Sequence, residues 1–289
     1  MLTAQITGGL GNQLFTYARL ALHARENQLD LKIDGSIAER VLGGPPDLFD
    51  FQLASEKRVR LSDYAALNVQ IEKIFWKNGK IRKITKRHQD GLLGNQNSLS
   101  KAKNGWKVRG FFQDFTVAEE FLEKFGRDPF TLIQESRELK HRTLEVSKSK
   151  SLAIHIRRGD YLHYKNSFGV LDDNYYLSAL EKIRSSTELE KIYIFSDSPE
   201  SVIDFQKKLK LKSEIIAPSD LKPSETMVLI SRCAAIITSN STFSFWAGIL
   251  ASHNNVIYPD PWFKSSDQWL SSGNLQCPNW ALAKSEWMN

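Results

Sequence analysis

Short apolar segments alternate with longer amphipathic segments through the second half of the chain. Runs of four to eight apolar residues between polar turns are typical of buried strands, whereas apolar spacings near 3.6 are typical of helices. The predicted strands are 151–156, 191–195, 214–217, 234–238 and 255–258, and the predicted helices are 174–185, 198–209, 224–233 and 241–251. Because the two types alternate, we expect a parallel sheet with right-handed crossovers.

The N-terminal part begins with a strand, a helix and a second strand. The pattern predicts a strand over 2–7, a tight turn at Gly8, Gly9 and Gly11, a helix over 12–28 and a strand over 29–33. The middle is less regular: it holds an acidic helical stretch and ends in a polar stretch at 148–151, which we interpret as a linker. A length of 289 residues suits two domains. Their predicted boundaries are 1–149 and 150–289.

One segment carries the whole basic excess of the chain. Residues 73–109 hold eleven Lys or Arg and one acid, Asp90, within a net charge of +6. Such a segment suits nucleic acid, an anionic membrane surface or a phosphorylated substrate, or it is a solvated excursion. It contains no recognised nucleic-acid motif, so no nucleic-acid partner is expected. Peripheral membrane contact and a solvated excursion both stay open.

The remaining composition indicates a reducing compartment. The chain has two cysteines, Cys233 and Cys277, and neither lies in a CxxC motif, which argues against a disulfide framework and a zinc site. It shows no run of about 18 apolar residues and no signal-peptide pattern at its N-terminus. We therefore expect a cytoplasmic protein.

Four predicted strand-end loops hold polar residues, and ligands on parallel sheets bind at the carboxyl ends of the strands. In the first loop, glycines precede Gly11, Asn12 and Gln13 at a helix start, a place that favours an anion. The loop lacks both the GxGxxG spacing and the GKS or GKT of a phosphate loop. A simple tight turn explains it equally well.

The second loop follows the strand 151–156 and carries the sequence HIRRGD at 155–160. In an extended chain, His155 and Arg157 point to one side and Arg158 to the other. Two arginines at a buried strand end need an anion. Either an internal carboxylate such as Asp160 supplies it, or the arginines clamp a diphosphate through their bidentate forks.

The third and fourth loops add a carboxylate and several hydroxyls. Asp197, between two serines, could accept from the neighbouring N–H groups of a guanine edge, although helix capping is the alternative. The fourth loop leads into a helix, and hydroxyls with free N–H groups at a helix start can cradle phosphate. Its residues are Ser239, Asn240, Ser241, Thr242 and Phe243. Together the loops predict a nucleotide-diphosphate pocket between two domains.

The sequence predicts no metal in this pocket. No pair of aspartates stands in a DxD arrangement, which is a common way to hold a metal-bound pyrophosphate. Arginines and helix ends would then supply the positive charge that a metal supplies elsewhere.

Five motifs together resemble the α-1,2-fucosyltransferases, the family that includes the blood-group H enzymes. They are GGLGNQLFTYARLA at 8–21, GFFQ at 110–113, HIRRGDY at 155–161, FSDS at 195–198 and TSNSTFSFWAG at 238–248. The resemblance implies an α/β fold of the GT-B type, with two Rossmann-like domains facing a central cleft. It also implies inverting transfer of L-fucose from GDP-fucose to the 2-hydroxyl of a terminal β-galactose on a glycan, without a metal or other cofactor.

The resemblance also implies roles for individual residues. Arg157 would hold the β-phosphate and stabilise the leaving GDP, and Arg158 would be a second phosphate ligand or a structural arginine. His155 and Asp197 would contact the guanine, and residues 239–243 would cradle the diphosphate. Gly11 and Gln13 would lie on the donor side. Asn12 and Gln13 would reach toward the fucose or the acceptor hydroxyl.

The general base is not identified by the motifs. Asp160 is a candidate, and so is a base-free reaction in which Asn12 only positions the nucleophile. Two other functions stay open: a GT-B transferase for a different sugar nucleotide, and a binding protein that keeps the pocket without transfer. Because the chain starts directly at the catalytic motifs, we expect a bacterial enzyme in the cytoplasm, peripheral to the inner membrane and acting on lipid-linked glycans.

Overall fold

The structure, a computed structural model, describes residues 1–54, 57–60, 87–89, 99, 102–265 and 275–288. Internal contacts divide the chain into two compact units, Met1–Ile133 and Gln134–Asn289. The division falls before the expected linker at 148–151, because a helix over Arg137–Lys148 belongs to the second unit. The polar stretch is the short turn between that helix and the next strand.

The first unit is built on a five-stranded parallel sheet. Its strands are β1 (Leu2–Gln5), β2 (Leu31–Asp34), β3 (Lys57–Val59), β4 (Arg87–Gln89) and β5 (Lys107–Arg109). Its helices are α1 (Leu10–Glu26), α2 (Ser36–Leu42) and α3 (Phe115–Phe125). The sheet order is β3-β2-β1-β5-β4, so the chain reverses its direction of winding between β1 and β5.

Helix α1 is the central element of the first unit. It begins directly after Gly9 and buries most of its circumference, including Leu14, Phe15 and Tyr17. Because the helix is buried on nearly all sides, neighbouring elements enclose it. Tyr17 packs against Phe121 of α3 with their ring centroids 5.4 Å apart. The burial of α1 fixes the position of its first turn, which carries the first loop motif.

The second unit is built on a six-stranded parallel sheet. Its strands are β6 (Ser151–Ile156), β7 (Lys191–Ser196), β8 (Lys212–Ile216), β9 (Ala235–Ile237), β10 (Val256–Asp260) and β11 (Ala281–Lys284). Its helices are α4 (Arg137–Lys148), α5 (Asp173–Arg184), α6 (Ile203–Lys208), α7 (Pro223–Ser231) and α8 (Thr242–Leu250).

The sheet order of the second unit, β11-β10-β9-β6-β7-β8, places a second reversal between β6 and β9. From β6 the chain adds β7 and β8 on one side of that strand, and it then adds β9, β10 and β11 on the other side. Loops diverge at such a reversal and leave a crevice at the carboxyl ends of the strands. The loops after β6 and β9 flank this crevice, and they carry two of the motifs.

The sequence also predicts Ser198 as a helix cap and Pro259 as the end of the last strand, and it leaves open a C-terminal helix packed on the first domain. The structure corrects all three. Ser198 does not cap its helix: its side chain contacts Glu200, and a 3₁₀ turn over Pro199–Val202 precedes α6. Pro259 does not end a strand but lies inside β10, where it is in register with Ala283. The C-terminal stretch is not a helix on the first unit but the strand β11, which pairs with β10 in the second unit.

Most of the basic segment 73–109 lies outside the described residues, so its predicted membrane contact stays a prediction. Across the described ranges, no helix has the length and apolarity that crossing a membrane requires. Cys233 and Cys277 are free thiols and both are buried. Burial raises the pKa of the Cys233 thiol to about 12, which keeps it in the unreactive thiol form.

Candidate functional site

The polar loops of the second unit meet at the carboxyl end of its sheet. Strands β6 and β7 are in register through Ile156 and Ser196, and β6 pairs with β9 through Ile154 and Ile237. The three strands therefore end at nearly the same level. Their following loops, 157–160, 197–198 and 238–241, lie side by side, as the sequence predicted.

Asp197 organises the loop after β6. Its Oδ1 accepts a hydrogen bond of 2.9 Å from the backbone N–H of Arg158, and its Oδ2 lies 3.2 Å from Nη1 of Arg157. The backbone of Gly159 lies so close to Asp197 that a Cβ added at position 159 would be 2.3 Å from Asp197 Oδ2. A side chain at position 159 would displace the carboxylate. The guanine contact proposed for Asp197 stays a prediction, and the structure adds a role in shaping the arginine loop.

Arg157 is the partly exposed arginine of the pair. Its side chain is 29% exposed, and its guanidinium pairs with Asp160 at 2.7 Å and Asp197 at 3.2 Å. The Tyr161 ring lies beneath it, with 5.5 Å between the guanidinium carbon and the ring centroid. Its Nε is buried without a hydrogen-bond partner in the described part of the chain. Asp160 is exposed and ion pairs with exposed carboxylates are weak, so a phosphate could compete with Asp160 for this guanidinium.

Arg158 is enclosed instead. Its side chain is 5% exposed, its Nη2 pairs with Asp173 Oδ1 at 2.9 Å, and its Nη1 contacts Met288 Sδ. Asp173 begins α5 and also pairs with Lys208 at 2.8 Å. The anion that Arg158 needs is therefore an internal carboxylate, with which it forms an ion pair. Of the two expectations for Arg158, these contacts favour the structural one.

His155 is a neutral, buried imidazole. Its Nδ1 lies 2.8 Å from Ser239 Oγ, and its ring stacks on Phe243 with a centroid distance of 5.2 Å. Burial, reinforced by the positive charge of Arg157, lowers its pKa to about 3. The side chain thus joins the loop after β6 to the loop after β9 and carries no charge at neutral pH.

The loop after β9 combines enclosed and accessible residues. Ser239, Asn240 and Ser241 are buried, and Ser241 caps α8 by accepting from the Phe243 N–H at 3.3 Å. Asn240 Nδ2 donates to the carbonyls of Phe168 at 3.0 Å and Gly169 at 3.1 Å. Its Oδ1 is buried with no hydrogen-bond partner in the ranges the structure describes. Thr242 and Phe243 are half-buried and form the accessible start of α8.

The glycine loop of the first unit is held by Gln13. Its Nε2 donates to the Gly8 carbonyl at 2.8 Å, and its Oε1 accepts from the Leu48 N–H at 3.0 Å. The side chain is fully buried. These bonds give Gln13 a structural role inside the first unit, and its proposed contact with the donor stays a prediction. Gly11 is likewise buried, in the first turn of α1.

Asn12 lies beside the GFFQ motif, because β1 and β5 are neighbours in the sheet. Gln113 Nε2 donates to Asn12 Oδ1 at 2.8 Å, and Gln113 is itself 4% exposed. Between β5 and Gln113 the chain passes through Phe112, which has a φ of 48°. A bulky residue in the left-handed region is strained and is held there by its surroundings. The strained turn directs Gln113 toward Asn12.

Sequence reasoning did not assign Gln113, Tyr161 or Asp173. Gln113 and Tyr161 end two of the quoted motifs, so their positions were visible but their partners were not. Asp173 belongs to no motif, and only the fold brings it to Arg158. Within the described residues, no group of three or more His, Cys, Asp or Glu side chains is arranged to hold a metal ion.

A model of protein-family sequences described as glycosyl transferase family 11 matches residues 1–284. The alpha-1,2-colitosyltransferase of Escherichia coli is 24% identical over 274 residues, which cover 92% of this chain and 94% of the relative. The O-antigen biosynthesis glycosyltransferase WbnK of Escherichia coli is 26% identical over 302 residues, covering 91% and 95%.

Solved structures share the fold at low identity. The NodZ alpha-1,6-fucosyltransferase soaked with GDP-fucose aligns with a TM-score of 0.51 and 13% identity, covering 92% of this chain and 96% of that one. A mutant of Arabidopsis thaliana FUT1 in complex with GDP aligns with a TM-score of 0.50 and 14% identity, covering 89% and 69%. These likenesses concern the α/β architecture with parallel sheets.

Proposed function

The chain belongs to glycosyl transferase family 11, and from that premise we propose that it transfers L-fucose from GDP-fucose to the 2-hydroxyl of a terminal β-galactose. The product would be an Fucα1-2Gal linkage, formed with inversion at the sugar carbon. The observation that carries the proposal is Arg157, a partly exposed guanidinium in the loop after β6, which His155 joins to the start of α8 through Ser239 and Phe243. A guanidinium and a helix N-terminus together favour a diphosphate.

The two units are proposed to act as the Rossmann-like domains of a GT-B enzyme facing a central cleft. The second unit would bind the GDP moiety, because the loops after β6, β7 and β9 all belong to it. The first unit would bind the acceptor through the loop that carries Asn12. The fold shared with solved structures that contain GDP or GDP-fucose supports this arrangement.

The proposed reaction depends on charge stabilisation at the leaving group. As the bond from fucose to GDP breaks, negative charge grows on the β-phosphate and the sugar gains oxocarbenium character. Arg157 would stabilise that charge, and Asp160, 2.7 Å away, would orient the guanidinium. Asn12, held by Gln113, would position the acceptor hydroxyl, which would bond to the sugar carbon as GDP leaves and lose its proton to solvent. Arginine and helix N-terminus supply the positive charge, so the proposal needs no metal and no other cofactor.

A colitose donor is the second candidate. One of the two relatives is an alpha-1,2-colitosyltransferase, and colitose is L-fucose without its 3-hydroxyl group. The two donors therefore differ by one hydroxyl on the sugar and share the same linkage. The named role of the other relative, O-antigen biosynthesis, supports a cell-surface glycan as the acceptor.

The proposal is tested by acceptor-dependent GDP release, with EDTA present. Purified protein would be given GDP-fucose or GDP-colitose together with lactose, N-acetyllactosamine or Galβ1-3GalNAc, and the product linkage would be read by NMR. We expect release with GDP-fucose and an α-1,2 linkage. A preference for GDP-colitose would replace the donor, and GDP binding without transfer to any galactoside would favour a non-catalytic binding protein.

The basic segment 73–109 is proposed to hold the enzyme at an anionic membrane surface, near a diphosphate-linked acceptor. Eleven cationic residues in this segment suit such a surface. This role goes with the expected location, in the cytoplasm and peripheral to the inner membrane. Sedimentation with anionic vesicles at low and high salt tests it, and binding that does not respond to salt would leave the segment as a solvated excursion.

A further inference from the structure

The last described residues of the chain form a short tail, 285–288, beyond the segment that the family model matches. The tail leaves β11 and pairs with residues 170–172, which belong to the segment 168–172 that we call the strap. Trp287 forms an antiparallel bridge with Leu171. The Asp172 N–H donates to the Glu286 carbonyl at 2.8 Å, and the Met288 N–H donates to the Val170 carbonyl at 2.8 Å.

Trp287 fits against the backbone of the strap. A Cβ added to Gly169 would lie 2.5 Å from two ring carbons of Trp287, so the indole occupies the space that a side chain would need. The same tryptophan packs on the hydrophobic core of the second unit. The strap is thereby fixed between the tail and the core.

The strap in turn holds the loop after β9. The carbonyls of Phe168 and Gly169 both accept from Asn240 Nδ2. These two bonds orient the Asn240 amide, so its unpaired Oδ1 is directed by residues that the tail supports. The tail therefore reaches the loop after β9 through one intervening segment.

The tail also reaches the loop after β6 directly. Met288 Sδ contacts Nη1 of Arg158, whose other amino group pairs with Asp173 at the start of α5. Arg158 is thus held from two sides. Because Arg157 is its neighbour in a loop that Asp197 also fixes, the position of Arg158 restricts where Arg157 can lie.

We propose that the tail 285–288 positions both loops for the nucleotide diphosphate, so that donor affinity depends on residues outside the arginine motif. The inference rests on the proposed function, since it assumes that these loops bind the donor. Trp287 and Met288 act as positioning residues. They would not touch the donor themselves.

The test measures GDP binding by titration calorimetry in Trp287→Ala, in Met288→Ala and in a chain that ends at Ser285. A mutation far from the chemistry that misplaces a reacting group by about 1 Å can lower the reaction rate on the order of 100-fold, and a misplaced binding group is expected to lose affinity in the same direction. We expect the GDP dissociation constant to rise at least about tenfold in Trp287→Ala and in the shortened chain. Met288→Ala, which changes an exposed side chain, should show a smaller rise. Trp287→Phe, which keeps an aromatic ring against Gly169, should recover most of the affinity.

Hydrogen exchange separates positioning from a general loss of stability. In Trp287→Ala we expect faster exchange confined to 157–172 and 239–241, with β6 and β7 as protected as in the wild type. Leu282→Ala, an exposed residue on β11, is the matched control and should leave GDP affinity and exchange unchanged. Unchanged GDP affinity in the shortened chain, or faster exchange throughout the second unit, would overturn the inference. Failure of the wild type to bind GDP would instead overturn the proposed function.

Discussion

Arg157 and Arg158 are neighbours in sequence with opposite surroundings. Both follow the last residue of β6 directly. Arg157 lies between Asp160 and Asp197 and keeps 29% of its side chain exposed, whereas Arg158 is enclosed by Asp173 and the tail. The sequence predicted two arginines that need an anion. It could not show that the carboxylate paired with Arg158 is Asp173, because no motif includes this residue.

Replacing the two arginines in turn should separate binding from stability. Arg157→Ala should lower kcat/KM for GDP-fucose by about 100- to 1000-fold, because a preorganised donor at the developing charge is lost, while the melting temperature changes little. Arg158→Ala should cost roughly 1–3 kcal/mol of unfolding free energy, because Asp173 loses an enclosed partner. GDP-release kinetics and denaturant melts measure both effects, with Arg184→Ala, an exposed arginine of α5, as the control. Near-normal turnover in a folded Arg157→Ala protein would remove Arg157 from the mechanism.

The buried His155 should make the stability of the protein depend on pH. Its folded pKa of about 3 lies below the ordinary value of 6.5, so between these values the unfolded state binds the proton and the folded state does not. The stability that neutral His155 contributes is therefore full above about pH 6.5 and falls as the pH drops toward 3. Between pH 7 and pH 5 the wild type should lose about 2 kcal/mol more than His155→Asn. Denaturant melts at these pH values measure the difference, and equal losses in both proteins would contradict it.

At the scale of elements, hydrophobic patterning predicted the second unit closely. The strand over 151–156 has the expected bounds, and the helices near 174–185 and 241–251 differ by one residue at each end. Their apolar residues face one core, and the burial of one face is what produces the apolar spacing along the sequence. The helix α4 was not predicted, because only two of its residues, Leu139 and Val146, are buried. Two buried residues are too few to give the repeating apolar pattern by which a helix is recognised in the sequence.

Loop roles were less predictable than loop positions. The sequence placed Asp197 at a strand end and Gln13 at a helix start, and both are there. Their hydrogen bonds reach Arg158 and Leu48, residues brought close only by neighbouring strands and turns. Such partners depend on tertiary packing, and the spacing of residues along one segment does not specify them.

The loop after β6 leaves no room for a side chain at Gly159. Gly159→Ala should force Asp197 away from its contacts with Arg157 and Arg158, because the new Cβ would lie 2.3 Å from Oδ2. We expect weaker GDP binding and a loss of roughly 1–3 kcal/mol in unfolding free energy. Calorimetric titration and melting measure these two quantities. Gly44→Ala, at a glycine with no heavy atom within 4 Å of the added Cβ, should change neither, and a Gly159→Ala protein that behaves like it would contradict the packing argument.

On the scale of the whole molecule, each unit has its own parallel sheet, and each sheet reverses its winding beside the strand that carries a motif. The reversal lies between β1 and β5 in the first unit and between β6 and β9 in the second. By the general rule for parallel sheets, a reversal of strand order leaves a crevice at the carboxyl ends of the strands, so one is expected in each unit. Cationic groups and an accessible helix start accompany the crevice of the second unit.

GDP should accordingly protect only the second unit. In hydrogen exchange we expect GDP to slow the amides of 155–160 and 239–243 and to leave those of 8–13 unchanged, because the diphosphate contacts are proposed for the second unit alone. UDP at the same concentration should give a much smaller effect if the pocket reads guanine. Equal protection of 8–13 would move part of the nucleotide site to the first unit.

The strand order of the second sheet also sets when the site can form during synthesis. β6 ends at Ile156, but its partner β9 begins only at Ala235, and the hydrogen bond between His155 and Ser239 joins residues 84 positions apart. Until β9 emerges, one edge of β6 has no strand to pair with. A nascent chain halted before residue 235 would thus carry the arginine motif without the loop after β9 that joins it through His155 and Ser239, and donor binding would begin only after that loop has emerged.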